Sequence, residues 1–265
     1  MGQSPSTSVP DQDDLPRPSE ALDLMEEEIL GELDISNDDR GRRIAQIIYD
    51  EGLRISNSDT NWIQVVNKDG MKLEKKGTAG IFAKSTIQVF RGEYTLSAPA
   101  QEFWEFLISD EGYKVLMPDL DLDTFERKPC NFSYKTECQL EQSFMKMPLG
   151  VTDRSYLVLN VYDKPQRKWA CKSVFHSDYP GSTKHHQDGR IPTETGHERM
   201  FYLSFFSMKD GEEPGTCKLG VVQLMDLGGS IFESISNSAS KSYFFDLKKS
   251  FKKVVKERYC TTALG

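Results

Sequence analysis

The sequence lacks a hydrophobic run long enough to cross a membrane. A bilayer-spanning helix needs about 18 or more consecutive apolar residues, and no run of this length occurs in the 265 residues. The N-terminus also lacks a basic start followed by an apolar stretch, so we expect no secretory signal. Hydrophobic residues make up 37% of the chain and charged residues 28%, a balance typical of globular domains. We therefore expect a soluble cytoplasmic protein.

Cysteine is scarce and irregularly spaced. The five cysteines form no C-x-x-C pair (Cys130, Cys138, Cys171, Cys217, Cys260), so they do not read as a disulfide framework. A zinc site needs three or four closely spaced ligands, and the pair His185-His186 lies in a segment rich in proline and glycine without such partners. We expect reduced thiols, no metal site and no cofactor.

Signatures of common enzyme classes are also missing. The chain has no G-x-S-x-G, no H-E-x-x-H, no G-x-G-x-x-G and no Walker loop, which are the patterns of several hydrolases, zinc proteases and nucleotide-binding enzymes. We therefore expect a protein that is not an enzyme.

The net charge of −8 is unevenly distributed. Residues 1–40 contain twelve Asp or Glu and two Lys or Arg, so they carry −10, whereas residues 41–265 carry +2. A body without a strong basic stripe does not suit a protein that follows a phosphate backbone. The sequence therefore predicts no nucleic-acid partner and an acidic N-terminal tail.

The chain divides into a tail and one folded domain. Residues 1–39 contain most of the acidic excess and four early prolines, so we predict a disordered tail over 1–39 and a domain over 40–260. Hydrophobic periodicity predicts helices at 40–56, from Pro99 to a break near Gly112 or Pro118, and at 231–257. It predicts strands at 62–66, 71–75, 81–96, 123–129, 133–145, 154–163, 168–176, 198–208 and 217–226, with a hairpin turn at 67–70. This order indicates an α+β fold.

The last helix carries the most information. Ser230 and Glu233 have the spacing of a capping box. Apolar side chains then recur on one face (Phe232, Ile235, Ala239, Tyr243, Leu247, Phe251, Val254), and lysines recur on the other. Residues 241–258 hold seven Lys or Arg and two Asp or Glu. An ordinary amphipathic helix packed on a sheet explains this pattern, and so does a lid over a cavity.

Several local motifs occur in a recognisable order. Thr152-Asp153-Arg154-Ser155-Tyr156 leads into a strand, Lys172-Ser173-Val174-Phe175-His176 is followed by Pro180, and 221–230 (VVQLMDLGGS) leads into the last helix. Together they resemble the START (steroidogenic-acute-regulatory-related lipid transfer) family over residues 40–258. The resemblance implies a helix-grip fold, in which a curved antiparallel sheet surrounds the C-terminal helix and encloses a hydrophobic cavity. It implies lipid binding or transfer.

The resemblance also implies site residues. Polar residues of related cavities fall on Glu141 and Asn160, and wall positions fall on Cys171 and Val221. From the last helix we add Phe232, Ile235, Ala239 and Tyr243. Strand alternation alone, however, directs Cys138 and Leu140 inward and Glu141 outward, so the orientation of Glu141 stays open.

Three functions follow from these observations. The leading hypothesis is a monomeric protein that holds one phospholipid, sterol or sphingolipid and meets a membrane surface transiently. Gly2 and Ser6 fit the N-myristoylation pattern, which could add a weak anchor. The alternatives are an enzyme on the same scaffold, using Glu141 with His176 or His197, and an interaction module that uses the acidic tail.

Overall fold

The described residues form four helices and ten strands, in the order that the hydrophobic periodicity of the sequence indicates. The structure is a computed structural model that describes residues 38–77, 88–117, 126–145, 147, 152–174, 198–227 and 233–259. The helices are α1 (Asp38–Asn57), α2 (Ala100–Leu107), α3 (Asp110–Leu116) and α4 (Glu233–Arg258). Tail residues 1–37, including Gly2, lie outside the described residues, as do His176, His185, His186, His197, Ser230 and Phe232.

The strands form one sheet. They are β1 (Ile63–Lys68), β2 (Met71–Gly77), β3 (Gln88–Leu96), β4 (Glu126–Pro129), β5 (Glu137–Met145), β6 (Arg154–Asp163), β7 (Lys168–Ser173), β8 (Glu198–Arg199), β9 (Phe201–Asp210) and β10 (Cys217–Asp226). Their order is β1-β2-β3-β10-β9-β7-β6-β5-β4, and these neighbours pair antiparallel. The short β8 pairs parallel with β6.

The predicted hairpin turn is confirmed. Asp69 and Gly70 have φ of 54° and 72°, and positive φ at both central residues is typical of the two-residue turns that match strand twist. This turn brings Met71 opposite Lys68 and so sets the register of β1 against β2.

The predicted helix after Pro99 breaks earlier than the sequence suggested. It ends at Leu107, and a second helix begins at Asp110. The Ser109 hydroxyl accepts a hydrogen bond from the Gly112 backbone N–H at 3.2 Å, so Ser109 caps α3. Gly112, predicted as a breaker, lies inside α3. A Cβ at Gly112 would lie 2.0 Å from the Phe106 carbonyl oxygen, and its absence lets α3 fold back against α2.

The sheet buries both of its faces. One face packs against α4 in a cluster that includes Phe90, Trp169 and Phe206. The opposite face packs against α1 in a second cluster that includes Ile48 and Leu140. We call these the α4 face and the α1 face. Because both faces are covered, the central strands carry apolar residues at successive positions rather than in strict alternation.

A close approach fixes how α4 sits on the sheet. A Cβ at Gly92 would lie 2.5 Å from the Phe244 ring, so only glycine lets Phe244 pack directly on β3. The Tyr94 hydroxyl donates to the Phe244 carbonyl at 2.9 Å. With Phe244 inward, Ser240 and Ser236 one and two turns earlier are fully buried.

The apolar face predicted for α4 is therefore wrong at one position. Ile235 was expected to face the sheet, but its side chain is 50% exposed. The helix is rotated so that the small residues Ser236 and Ser240 face inward instead. Leu247, Phe251 and Val254 are buried as predicted.

The Asp153-Arg154 pair of the first motif ties loops to the ends of strands. The Asp153 carboxylate accepts from the Met147 backbone N–H at 2.8 Å. Arg154 is buried and donates from Nε to the Leu227 carbonyl at 2.5 Å. It thus holds the chain just beyond β10, ahead of α4.

Candidate functional site

A buried polar cluster lies on the α4 face of the sheet, and Glu141 is its central acceptor. Its side chain is 0% exposed. One carboxylate oxygen accepts from the Tyr113 hydroxyl, and the other accepts from Asn160 Nδ2 at 3.1 Å. Asn160 Oδ1 accepts in turn from Trp169 Nε1 at 2.9 Å. Buried polar groups are normally paired in this way, and the chain of bonds fixes all four side chains.

Arg127 balances the charge of the cluster. Its Nε lies 3.5 Å from Glu141 Oε2, and its guanidinium lies 4.4 Å from the centre of the Tyr113 ring. Nη1 is 3.6 Å from the exposed carboxylate of Asp110. A buried carboxylate is tolerated when it is paired and hydrogen-bonded, and Arg127 supplies the opposite charge from the edge strand β4.

Stacked aromatic rings form the floor next to the cluster. The Trp169 ring stacks on Phe206 with centroids 4.7 Å apart and on Tyr162 at 5.5 Å. These three residues come from adjacent strands. They form a flat apolar surface beside the polar cluster.

The orientation of Glu141 is decided by the two-sided burial of the sheet. Leu140 and Cys138 do face inward, but they face the cluster under α1. Glu141 points to the opposite side, toward α4, where the structure places Asn160 and Trp169. The alternation of side chains along β5 therefore assigned Leu140 and Glu141 to opposite faces of the sheet correctly. It could not show that both faces are buried.

A small cavity touches this cluster. It has a volume of about 10 Å³ and lies between Tyr113, Trp169, Tyr202 and Tyr243, with further lining from Leu116, Met117, Val158, Cys171 and Phe206. Such a volume holds about one water molecule, whereas ligand pockets typically measure roughly 300–1,000 Å³. A lipid-sized ligand could occupy this particular cavity only if the residues that line it moved apart.

A larger recess of about 600 Å³ lies on the α1 face, beside the end of α1. Charged side chains line it, and several are paired with each other: Glu74 lies 2.7 Å from Arg91 and 2.9 Å from Lys72. Its floor includes Gly220 and Ser207. A recess lined by paired charged side chains is a poor environment for a hydrophobic ligand, so we place the candidate site on the α4 face.

The structure brings together three of the candidate residues. Asn160 bonds to Glu141 and pairs in register with Cys171. Val221 is buried two strands away from Cys171, and Tyr243 reaches the cavity from α4. Ala239 is partly buried against the α4-face core. Ile235 points to solvent, and the binding role of each candidate stays a prediction.

Sequence reasoning did not place Tyr113, Arg127, Trp169 or Tyr202 among the site residues. Tyr113 comes from the helix that was not separated from α2, and Arg127 comes from an edge strand. The useful signal would have been strand register: Arg127 pairs with Glu141, and Glu141 pairs with Val158. Register is a tertiary property, so the residue pattern did not reveal it.

Burial controls the chemistry of the thiols. It raises the pKa of Cys138 to about 11 and that of Cys130 to about 12. Burial, and then the neighbouring Glu141, raise the pKa of Cys171 well above its ordinary value. Because only the thiolate is nucleophilic, these groups stay protonated and unreactive near neutral pH.

We expect iodoacetamide at about pH 8 to leave Cys171 unmodified in the folded protein and to modify it fully in urea, since a free thiol has a pKa of about 8.5. Peptide mass spectrometry after timed quenching measures this. Rapid modification of Cys171 in the folded chain would show that the reagent reaches this buried thiol, which would contradict the prediction.

The arrangement of the sheet and the last helix defines the class of fold. One antiparallel sheet closes around a long C-terminal helix, which is the α+β helix-grip fold, with a small interior cavity beside a buried polar cluster. No described helix has the length and apolar character to span a bilayer. Within the described ranges, no group of three His, Cys, Asp or Glu side chains is placed to hold a metal ion.

Solved structures identify the fold more closely. The chain is similar to human StAR-related lipid transfer protein 5, with a TM-score of 0.61 and 14% identity over 81% of this chain and 96% of that one. It is also similar to human STARD10 (TM-score 0.55, 12% identity, 81% and 83% covered). A third similar structure is a STAR-related lipid transfer protein of Xanthomonas axonopodis (TM-score 0.51, 18% identity, 74% and 99% covered). No protein-family model and no curated protein matches the sequence. The chain has the helix-grip fold of the START domains.

Proposed function

We propose that this protein binds one lipid molecule in the interior of the grip and carries it between membranes, without catalysis. The observation that carries the proposal is the cluster around Glu141, a hydrogen-bonded group of polar side chains with a buried carboxylate, next to the apolar rings of Trp169 and Phe206. Binding sites for hydrophobic ligands have this composition, with a few polar groups that orient the ligand. The lipid-transfer proteins with the same fold support it.

The cluster suits a ligand with a hydroxyl, amide or ammonium group. Glu141 accepts hydrogen bonds, and Asn160 both donates and accepts. A ligand donor would compete for the same carboxylate while its apolar part covers Trp169 and Phe206. Removing that apolar part from water contributes about 25 cal/mol per Å². A sterol, a sphingolipid or a phospholipid is compatible with this chemistry.

Loading requires α4 to open, and its first half is the part suited to do so. Ser236 and Ser240 fill the interface there instead of bulky side chains. The hydrogen bonds that hold this half include one from the Leu227 N–H to Ser236 Oγ at 3.2 Å and one from the Gln88 N–H to Asn237 Oδ1 at 2.7 Å. The second half is held by buried Phe244, Leu247 and Phe251. A hinge between the halves would uncover the interior without unfolding the helix.

Membrane contact is proposed through the outer face of α4. Lys241, Lys249, Lys252 and Lys256 are exposed there, and exposed lysines are attracted to anionic lipid. A myristoyl group on Gly2 would add only weak, reversible attachment. The proposal is thus a monomeric, cytoplasmic protein that needs no cofactor and docks briefly during lipid exchange.

Ala239→Trp is expected to block loading. The side chain at 239 is partly buried against the α4-face core, and overpacking of this kind costs about 1–3 kcal/mol. If this cost falls on the lipid-bound state, affinity for the lipid should fall about tenfold or more, and the lipid-bound fraction should fall at subsaturating lipid. Native mass spectrometry after exposure to mixed liposomes measures the lipid-bound fraction, and lipid extraction identifies the lipid.

Ser238→Trp is the matched control, because Ser238 is exposed on the same turn of α4. It should keep normal occupancy, and both variants should keep cooperative thermal unfolding. Equal lipid occupancy in the two variants would contradict gating by α4. If the unsubstituted protein carries no lipid after exposure to liposomes, lipid binding itself is contradicted.

A further inference from the structure

The sheet extends beyond the end of α1, and the recess on the α1 face lies over this uncovered part. The last residues of α1 form one wall (Leu53, Ser56, Asn57). The floor crosses β10 and β9, where Gly220 pairs with Ser207. A Cβ at Gly220 would lie 2.9 Å from Ser207 Oγ, so glycine keeps the floor low. The volume of about 600 Å³ falls within the range of small-molecule sites.

Among the described residues, three carboxylates line the recess, and two of them are held by cations. Glu74 lies 2.7 Å from Arg91. Both oxygens of Asp210 accept from Arg167, at 3.0 and 2.8 Å. The third, Glu93, is exposed on β3, on the side of the recess toward β2. The carboxylates therefore leave the side formed by β10, β9 and β7 without a free negative charge.

Three lysines come together on that side, from β7, β9 and β10 (Lys168, Lys209, Lys218). Lys218 lies directly opposite Lys209, and Lys168 lies opposite Ser207. Facing strand residues have Cβ atoms about 5 Å apart, and like charges at such positions destabilise a sheet. Lys218 pairs with Glu212, which is 86% exposed, so little is lost when this pair breaks. Within the described ranges, neither Lys168 nor Lys209 has an ion-pair partner.

The lysine side of the recess suits a phosphate monoester. Such a group carries about −1.5 to −2 charges near pH 7 and presents three acceptor oxygens. A lysine ammonium has three donors on a flexible four-carbon stem, so stems that start on three neighbouring strands can converge on one anion above the floor. The Ser207 hydroxyl supplies a further donor from the floor. A carboxylate, with one charge and two oxygens, would leave part of this cationic group unmatched.

We propose that Lys168, Lys209 and Lys218, together with the Ser207 hydroxyl, bind a phosphate monoester group of a small polar molecule. The recess is larger than a phosphate, and the rest of the ligand lies toward the charged side chains of β2 and β3, so it is polar as well. The ligand is either free in solution or the headgroup of a membrane lipid. The sheet separates this site from the cluster around Glu141, so the proposal is independent of lipid binding in the interior.

Isothermal titration calorimetry with inositol trisphosphate tests the site. Lys168→Ala and Lys209→Ala should each weaken binding about tenfold, because each removes a hydrogen bond between charged groups. Ser207→Ala removes a neutral donor without changing the charge and should weaken binding about threefold. Lys75→Ala is the matched control, since Lys75 lies on β2 outside the recess, and it should keep the affinity of the unsubstituted protein.

Vesicle sedimentation distinguishes the two sources of the phosphate. Phosphatidylcholine vesicles that contain phosphatidylinositol bisphosphate are compared with vesicles that contain enough phosphatidylserine to carry the same charge. A preference for the first kind that Lys168→Ala and Lys209→Ala abolish would support the site and identify a lipid headgroup as its ligand. Binding of inositol trisphosphate without a vesicle preference would support the site with a free ligand.

Other results would overturn the site. One is a protein that neither binds inositol trisphosphate nor prefers vesicles with phosphatidylinositol bisphosphate. Another is an equal loss of affinity in Lys75→Ala and Lys168→Ala, which would show general attraction between charges. A vesicle preference that persists in both Lys168→Ala and Lys209→Ala would place the contact elsewhere on the surface. Thermal unfolding of each variant shows that the fold is kept, and native mass spectrometry shows that lipid uptake into the interior is unchanged.

Discussion

Lys172→Ala is expected to lower the free energy of unfolding by about 3–5 kcal/mol, the usual cost of leaving one member of a buried ion pair alone. Lys172 Nζ lies 2.8 Å from Glu51 Oε2, and the two side chains are 4% and 2% exposed. The pair joins β7 to α1 on the face of the sheet opposite α4. Without Lys172, the Glu51 carboxylate stays buried under α1 with no compensating charge. Urea unfolding followed by circular dichroism measures the change.

Lys218→Ala is the matched control. Lys218 also forms a strand-to-loop ion pair, at 2.6 Å, but its partner Glu212 is 86% exposed. Exposed pairs are typically worth about 0–1 kcal/mol. Glu51→Leu combined with Lys172→Met should recover most of the lost stability, because replacing both charges by apolar groups removes the desolvation cost. Equal losses for Lys172→Ala and Lys218→Ala would show that the buried pair does not anchor α1.

The second large effect is expected at Glu141. Glu141→Leu removes the acceptor shared by Tyr113 and Asn160 and the charge that faces Arg127. We expect a loss of about 3–5 kcal/mol in unfolding free energy, as for other buried charge pairs. Under the proposed function, affinity for cholesterol should also fall about tenfold or more, since its hydroxyl loses an acceptor. Glu141→Gln keeps one acceptor oxygen and should lose less of both.

Glu93→Leu controls for the same chemical change at an exposed strand position on the α1 face, where substitutions usually change stability by less than about 0.5 kcal/mol. Urea unfolding and a fluorescent sterol-binding assay provide the two measurements. A Glu141→Leu variant with the stability and the cholesterol affinity of Glu93→Leu would show that the cluster neither supports the fold nor orients the ligand.

Local chemistry made much of the fold predictable. The turn at 69–70 follows from the backbone preferences of Asp and Gly, and the strands at 154–163 and 217–226 match the structure at both ends. These elements are determined by neighbouring residues, so the sequence pattern carries the information. The sequence did not predict the break at Ser109. Glycine often ends a helix, so Gly112 was the expected end, but Gly112 lies inside α3 and its N–H donates to the Ser109 hydroxyl that caps this helix.

Positions that depend on two elements at once were less predictable. Ile235 has the periodicity of an inward residue, but the approach of Phe244 to Gly92 sets the rotation of α4 and turns Ile235 outward. Strand alternation directs Glu141 to solvent on the assumption that only one face of the sheet is buried. Because α1 covers one face and α4 the other, both Leu140 and Glu141 are buried.

The sequence by itself determined the class of fold, the lack of a membrane-spanning run and most element boundaries, because periodicity, turn residues and composition act over short distances along the chain. The tertiary structure alone decided which side chains meet. Tyr113, Glu141, Asn160 and Trp169 come from α3, β5, β6 and β7, and only strand register and the packing of α3 bring them within hydrogen-bonding distance. The same register places Gln223, Ser204, Cys171 and Asn160 side by side on four neighbouring strands, although they lie far apart in the sequence.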